Sequence, residues 1–254
     1  MNLSRPFSRL PLVSFLLIFV NVALFVFELS RGVSAMKPAT VDMIGWGANV
    51  AALTLNGESW RLLSSMFLHI GLLHIAFNMY MLFVFGPLVE DRFGSGRFTL
   101  VYFLSGLFGS LVSAAWHASQ GQLVVAAGAS GALMGISGAY VGHWLVFRRR
   151  AGMHEELNMR PLAQTIGLNL VLGFINPGVD NACHLGGLLS GVLLGIAFAL
   201  GSFERSPLKR IAASAVITLA SLGLIGFVLQ RPSTLEMELT AVELRQMQAA
   251  RAHR

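Results

Sequence analysis

Long apolar runs, separated by short polar segments, recur along most of the chain. A membrane-spanning helix needs about 20 predominantly apolar residues, and seven runs approach or reach that length. The fifth run is the shortest, and Pro161 lies directly before it, where proline suits the first turn of a helix. We therefore predict seven membrane helices, at residues 12–29, 68–89, 98–116, 126–147, 162–175, 182–203 and 211–229.

The seven runs predict an all-α fold, a polytopic bundle of membrane helices. Residues 12–203 would form a six-helix core, and residues 204–230 would add a linker and one C-terminal membrane helix. Residues 1–11 would precede the first span on the cytoplasmic side. The mixed polar and apolar residues of 231–254 predict either a short amphipathic helix or a disordered tail.

The composition agrees with a lipid environment. Of the 254 residues, 55% are hydrophobic and only 12% are charged, whereas soluble domains carry about 25% charged residues. Too few polar side chains remain to cover a globule in water. The net charge of +6 could indicate a nucleic-acid partner, but the sequence lacks the soluble basic domain that would bind one. Cys183 is the one cysteine, so no internal disulfide is expected.

Basic residues indicate how the helices are oriented, because lysine and arginine concentrate in cytoplasmic loops. If the N-terminus is inside, 11 of them lie in inner segments and 7 in outer segments, and the arginine triplet at 148–150 is the strongest anchor. We therefore predict a multi-pass protein with a cytoplasmic N-terminus. A cleavable signal peptide is the alternative for the first span, but the apolar run exceeds the usual length of about 7–15 residues and contains Asn21.

Strongly polar residues inside a predicted span are costly, and by default they mark a functional site. In the second span, His74 and Asn78 share a helix face, because four residues turn the helix by about 400°. His69 lies about 140° from His74 and is predicted to face elsewhere. This spacing differs from that of a zinc pair, which needs two histidines four residues apart. Hydrogen bonding between helices is the plain alternative for His74 and Asn78.

Two further spans begin with reactive residue types. The fourth contains Gly128-Ala129-Ser130-Gly131, and glycines beside a serine can expose its hydroxyl at a tight turn into a helix. Taken alone, Ser130 could simply extend a face of small residues along which helices pack. His184 opens the sixth span, and Gly187 and Gly191 would let another helix approach its end at backbone distance.

The predicted topology brings these polar residues to one depth. The fourth and sixth spans both enter from the outer side, so Ser130 and His184 should lie in the same layer. The second span enters from that side too, and it carries His74 and Asn78 one to two turns down. A serine hydroxyl beside an imidazole can act as a nucleophile. The residues therefore predict a serine protease site near the outer membrane surface.

The same residues resemble those of the rhomboid family of intramembrane serine proteases. The resemblance extends from about Trp60 to Gly195, with the motifs in the family's order and the same spans between them. The matching pieces are Trp60-Arg61, His69…His74…Asn78, Glu90-x-Arg92-x-Gly94, Gly128-Ala129-Ser130-Gly131 and Ala182-x-His184-x-x-Gly187-x-x-x-Gly191.

The resemblance implies a Ser130–His184 dyad with no acidic third member. Ser130 would be the nucleophile, and His184 would be the general base and later the acid. His74, Asn78 and the Ser130 N–H would form the oxyanion hole. No metal and no cofactor are implied. Supporting roles would fall to His69, Gly128, Gly131, Met134, Gly187, Gly191, Trp60, Arg61, Glu90 and Arg92.

Three positions qualify the resemblance. Many family members have an aromatic residue four positions after the nucleophile, where this chain has Met134, whose sulfur can still contact a ring edge. Some relatives use a tryptophan at a lateral gate in the fifth span, where Phe174 could serve. Asp180 lies in a loop four residues before His184, so we expect it to have a structural role rather than to be a triad acid.

The resemblance also implies the partners. They would be the lipid bilayer, here a bacterial plasma membrane, and transmembrane protein substrates with a locally weak helix near the outer face. Water would need a cavity open to that side. A catalytically inactive relative that binds membrane clients is the alternative, although such proteins usually lack the serine or the histidine. A transporter or channel would need paired intramembrane charges or matching broken helices. Oligomeric state is left open.

Overall fold

The computed structural model describes residues 10–150, 159–176, 178–204, 206–230 and 234–252. Seven long helices stand at the seven predicted spans, which confirms the all-α membrane bundle. In chain order the helices are α1 (Leu12–Ser30), α2 (Thr40–Trp46), α3 (Ala51–Thr54), α4 (Arg61–Ser64), α5 (Leu72–Phe93), α6 (Ser95–Ser119), α7 (Ser130–Arg150), α8 (Arg160–Ile175), α9 (Asn181–Ser202), α10 (Pro207–Leu229) and α11 (Leu235–Ala252). Two short strands are β1 (Asn49–Val50) and β2 (Val125–Ala126).

Helix α7 differs in composition from the other long helices. Within the described residues, α1, α5, α6, α9 and α10 are long and apolar enough to cross a membrane, and α8 holds a shorter apolar stretch. In α7, glycine, alanine and serine replace large apolar residues. Its residues Ala132, Leu133, Ile136 and Ala139 are all buried. The helix is therefore surrounded by protein, and it has little need of a lipid-facing apolar surface.

Two helices begin four residues later than the sequence pattern predicts. Helix α5 begins at Leu72 instead of residue 68, because Leu68 is extended and Gly71 has φ +91°, which only glycine adopts readily. Helix α7 begins at Ser130 instead of residue 126, because Val125–Ala126 form β2. Ser130 is therefore the first residue of its helix.

The first loop, between α1 and α5, is folded and is joined to the segment before α7. Strand β1 pairs antiparallel with β2, with Asn49 opposite Ala126 and Val50 opposite Val125. The Gly128 N–H donates to the Ser65 carbonyl over 2.8 Å. The loop thus supports the backbone leading to Ser130 at two places.

In the C-terminal tail, residues 235–252 form helix α11. The helix packs on the first loop, where Ala241 and Leu244 share a buried cluster with Val50 and Leu53. Helix α10 lies at the periphery of the bundle, and little of it is buried. The C-terminal helix is therefore docked at the same end of the bundle as Ser130.

Candidate active site

A contact between the backbones of α7 and α9 organises the centre of the molecule. A Cβ atom added to Gly187 would overlap the Gly131 carbonyl, and one added to Gly191 would overlap the Gly135 carbonyl. Farther along, Gly195 abuts the Ala139 carbonyl in the same way. Any larger side chain at these glycines would force the two helices apart.

The same contacts fix the register of the two helices. In each pair, the α9 residue lies 56 positions after its α7 partner, so the helices run parallel and start at one level. His184 is accordingly level with position 128, two residues before Ser130. At about 1.5 Å per residue, Ser130 and His184 differ by about 3 Å along the helix axes. The two residues therefore lie at nearly the same level in the bundle.

Ser130 lies where its backbone and its hydroxyl are both available for chemistry. It is the first residue of α7, so its N–H has no acceptor within the helix. The residue is half-buried. Gly128, two residues earlier, has φ +130°, a conformation that side-chain-bearing residues rarely adopt. The glycine-rich sequence therefore forms a sharp turn into the helix.

His184 lies in the first turn of α9 and is 3% exposed. Asp180 caps this turn, since its Oδ1 accepts a hydrogen bond from the Cys183 N–H over 3.0 Å. The other oxygen of Asp180 accepts a hydrogen bond from the Ser113 hydroxyl of α6, and Nε2 of His117 lies 3.4 Å from Oδ1. Asp180 thus has the structural role predicted for it. It holds the His184 end of α9 against α6.

His74 presents one edge of its ring to the turn before Ser130. The Ile70 N–H donates to His74 Nδ1 over 3.2 Å, so a neutral ring carries its proton on Nε2. A Cβ added to Gly128 would lie 2.8 Å from that Nε2 and 2.6 Å from Cε1. The absence of a side chain at Gly128 therefore admits the donor edge of His74.

Asn78 follows His74 by one helical turn and is 4% exposed. Its Nδ2 donates one N–H to the His74 carbonyl over 2.8 Å. The second N–H of the amide is not used in this hydrogen bond. Oδ1 is buried without a partner among the described residues. Asn78 therefore keeps one donor for a group that enters the site.

One predicted orientation is wrong. The helical geometry placed His69 on a face away from His74, but α5 begins only at Leu72. His69 instead lies before the helix, and its ring meets the His74 ring edge-on, with centroids 5.3 Å apart. His69 is almost fully buried, and its ring packs against the His74 ring from the segment before α5.

Among the described side chains, no hydrogen bond joins the Ser130 hydroxyl to the His184 ring. The Nδ1 atom of His184 is buried without a partner. Met134, four residues after Ser130, is fully buried. Because catalytic hydrogen bonds are often long before substrate binds, a Ser130–His184 dyad does not require this bond in the unliganded protein.

Comparison with known proteins decides the family. A family model described as Rhomboid domain matches residues 56–201, more than half of the chain. This chain belongs to the rhomboid family. With its family and its apolar helices, it is an integral multi-pass membrane protein.

Three curated rhomboid relatives illustrate the similarity. The chain is 32% identical to Rhomboid protease GluP of Bacillus subtilis (strain 168), over 90% of this chain and 43% of the relative. It is 33% identical to Rhomboid protease AarA of Providencia stuartii, over 72% of this chain and 71% of the relative. Putative rhomboid protease YdcA of Bacillus subtilis (strain 168) is 33% identical, over 75% of this chain and 90% of the relative. The chain thus spans less than half of GluP.

Two of the motifs that resemble the rhomboid family, Trp60-Arg61 and Glu90-x-Arg92-x-Gly94, lie away from Ser130. Their side chains make structural contacts. Arg61 is 2% exposed and donates to the carbonyls of Ile44 and Ala48. Its guanidinium also lies over the Trp60 ring, 4.7 Å from the centroid. These contacts hold the first loop in its fold.

The second of these motifs joins α1 to α5 at the opposite end of the bundle. The Glu90 carboxylate accepts hydrogen bonds from the Ser14 N–H and hydroxyl and from the Ser95 hydroxyl. Arg92 is exposed at the end of α5.

On α8, Phe174 is 81% exposed, so it is free of packing. No group of three or more potential metal ligands occurs among the described residues.

Proposed function

We propose that this rhomboid is an intramembrane serine endopeptidase that uses Ser130 and His184. The proposal rests on one observation above all. The parallel, backbone-to-backbone contact of α7 and α9 brings the starts of both helices to one level. The named proteases among the relatives support the same reaction class.

The reaction begins with attack of Ser130 Oγ on the carbonyl carbon of the scissile peptide bond. His184 takes the hydroxyl proton as the new C–O bond forms, since an unassisted serine is a weak nucleophile. The tetrahedral intermediate then breaks its C–N bond, and His184 returns the proton to the departing amine. Water, activated by the same imidazole, hydrolyses the acyl-enzyme.

The oxyanion of the intermediate would be met by three donors. These are the Ser130 N–H, the Nε2–H of His74 and the remaining N–H of Asn78. The first is unpaired within its helix, and the second faces the Gly128 turn. Each such donor can contribute about 2.7–4 kcal/mol to transition-state stabilisation, judged by subtilisin.

Orientation of His184 falls to packing and to the cap of its helix, because the proposed dyad has no acidic third member. Asp180 fixes the first turn of α9, and Gly187 and Gly191 fix the distance to α7. Substrate entry must then shorten the Ser130–His184 separation to hydrogen-bonding distance, roughly 2.6–3.2 Å.

The substrate class follows from the depth of the site. A peptide bond within a membrane helix is already hydrogen-bonded, so the enzyme must capture a stretch that unwinds at low cost. Glycine, proline or small residues near the outer end of a substrate helix would meet that need. We place the chain in a bacterial plasma membrane, with a cytoplasmic N-terminus and the active site facing the outer side.

The test is a cleavage assay on purified protein in lipid vesicles, with a single-span substrate carrying a glycine-rich outer segment. Ser130→Ala and His184→Ala are expected to reduce cleavage by about 10⁴-fold or more, by the subtilisin precedent. Ser137→Ala is the matched control. Ser137 lies two turns farther along α7, and its buried hydroxyl only donates to the Leu133 carbonyl.

The outcome also separates an enzyme from an inactive, client-binding relative. If the wild type binds the substrate but cuts it no faster than Ser130→Ala, the protease proposal is wrong. If Ser137→Ala lowers cleavage as much as Ser130→Ala does, the losses reflect disturbed packing of α7 rather than removal of the nucleophile.

A further inference from the structure

The C-terminal helix α11 contacts the first loop through both a buried and a charged patch. Leu244 is 7% exposed and Ala241 is 1% exposed, and both belong to the buried cluster formed by the loop. Beside them, Arg245 donates to the Glu58 carboxylate and to the Asn56 carbonyl, each over 2.8 Å. These contacts join positions 187 to 189 residues apart in sequence.

The buried cluster under α11 reaches the strand that leads to the proposed nucleophile. Val50 of β1 is fully buried in it, and Val125 of β2 packs against it. The two residues face each other across the β1–β2 pair. Val125 lies five residues before Ser130, so α11, both strands and the serine turn form one packed unit.

The charged patch reaches the same place by a second route. Glu58 joins Arg245 to Arg61, whose guanidinium lies 2.7 Å from the carboxylate. Arg61 in turn donates to the Ile44 and Ala48 carbonyls, and Ala48 directly precedes β1. Two independent sets of contacts therefore connect α11 to the strand pair.

We propose that Leu244 and Arg245 are positioning residues, through which α11 holds the strand pair and the Gly128 turn in the geometry that Ser130 needs. The proposal rests on the proposed function for its catalytic consequence. Its structural half, the coupling of α11 to the segment before Ser130, stands without it. Leu244 should dominate, because an exposed ion pair such as that of Arg245 contributes little by itself.

The test compares two leucines on opposite faces of α11. Leu244→Ser removes the buried contact, whereas Leu239→Ser changes the same residue type at a site that is 58% exposed. Arg245→Gln is a milder variant that leaves the apolar contact in place. The full chain is kept in lipid nanodiscs, and thermal melting identifies the temperatures at which every variant is folded.

Two readouts are taken at such a temperature. Hydrogen exchange of the peptide covering residues 120–129 reports on the strand pair and on the Gly128 N–H. The kcat and KM of substrate cleavage report on the site. We expect faster exchange and a 10- to 100-fold fall in kcat for Leu244→Ser, since a misplacement of about 1 Å can cost about 10²-fold. Arg245→Gln should give a smaller change of the same sign, with KM little altered in both.

Each outcome decides the matter. Unchanged exchange over residues 120–129 in Leu244→Ser, while α11 itself exchanges faster, would overturn the proposal. Equal effects of Leu239→Ser and Leu244→Ser would overturn it as well. If the wild type does not cleave at all, the protease proposal fails, and the exchange comparison still decides whether α11 supports the serine segment.

Discussion

Gly128 is the residue on which the proposed oxyanion hole depends most directly. It combines a positive φ with a gap that the His74 ring edge fills. Any side chain at this position would push His74 Nε2 away from the Ser130 turn. A change of one methyl group should therefore remove a donor that Ser130 and His184 cannot replace.

We predict that Gly128→Ala lowers kcat by about 10²–10³-fold, the effect expected when one oxyanion donor is lost. The measurement is cleavage of a fixed transmembrane substrate with KM determined separately. Gly121→Ala is the control, because Gly121 also has positive φ but has open space around it. Equal losses in both variants would assign the effect to backbone strain and contradict the account of His74.

The sequence predicts the site residues best where local spacing decides their geometry. His74 and Asn78 share a face because four residues make about one turn, and the glycines around Ser130 indicated the turn. The prediction for His69 was wrong, because the position of this residue depends on where α5 begins. The contact of His74 with Gly128 joins distant segments, and no local pattern encodes it.

At the scale of elements, the α7–α9 contact is the feature that aligns the two proposed catalytic residues. Gly187 abuts the Gly131 carbonyl, one residue after Ser130. We predict that Gly187→Ala destabilises the fold by about 1–3 kcal/mol, the usual cost of overpacking, and abolishes most cleavage. Gly201→Ala, on the same helix with nothing nearby, should leave both unchanged. Unfolding in mixed detergent measures the change in the free energy of unfolding.

The cap of α9 allows a second prediction. Asp180→Ala removes the acceptor for the Cys183 N–H, and loss of an N-cap costs about 1 kcal/mol. Asp180→Asn keeps a capping oxygen and should retain most of the stability. Thermal melts of both variants make the comparison. If the two variants melt alike, and both below the wild type, the carboxylate charge or its hydrogen bond from Ser113, rather than the cap, is what matters.

The helices could be predicted because apolar runs of membrane length are hard to mistake. The predicted starts of α5 and α7 were less accurate. The extended segments before these helices are separated from them by the backbone conformations of Gly71 and Gly128, not by polar residues that a sequence pattern would reveal. The strands β1 and β2 were missed altogether. A pair of two-residue strands has no detectable alternation, and its partners lie more than 70 residues apart.

At the scale of the whole molecule, the first loop and α11 form a folded layer over one end of the bundle. Docking of the tail could not be predicted, because the Arg245–Glu58 pair joins residues 187 positions apart in sequence. The stability of this ion pair depends on pH. Burial acts to raise the pKa of the Glu58 carboxyl, but hydrogen bonds and charges from Arg245 and Arg61 hold it below its ordinary value near 4.5.

Because the pKa of Glu58 is lowered in the folded state, the carboxylate stabilises the fold above pH 4.5, and this stabilisation is lost as the pH falls through the lowered pKa. We predict that hydrogen exchange in α11 of the wild type accelerates as the pH falls through this acidic range. The Glu58→Gln variant should show no such acceleration, because it has no carboxylate to protonate. A step of the same size and midpoint in Glu58→Gln would contradict the assignment. High salt should weaken the wild-type contact at neutral pH.

In the proposed mechanism, Ser130 is activated by His184 within the membrane. Mass spectrometry of the intact, folded protein after brief exposure to a fluorophosphonate tests it most directly. We predict a single adduct on Ser130 that forms at an unchanged rate in Ser137→Ala and is almost absent in His184→Ala. An adduct on another serine, or labelling of Ser130 at the wild-type rate without His184, would contradict the account.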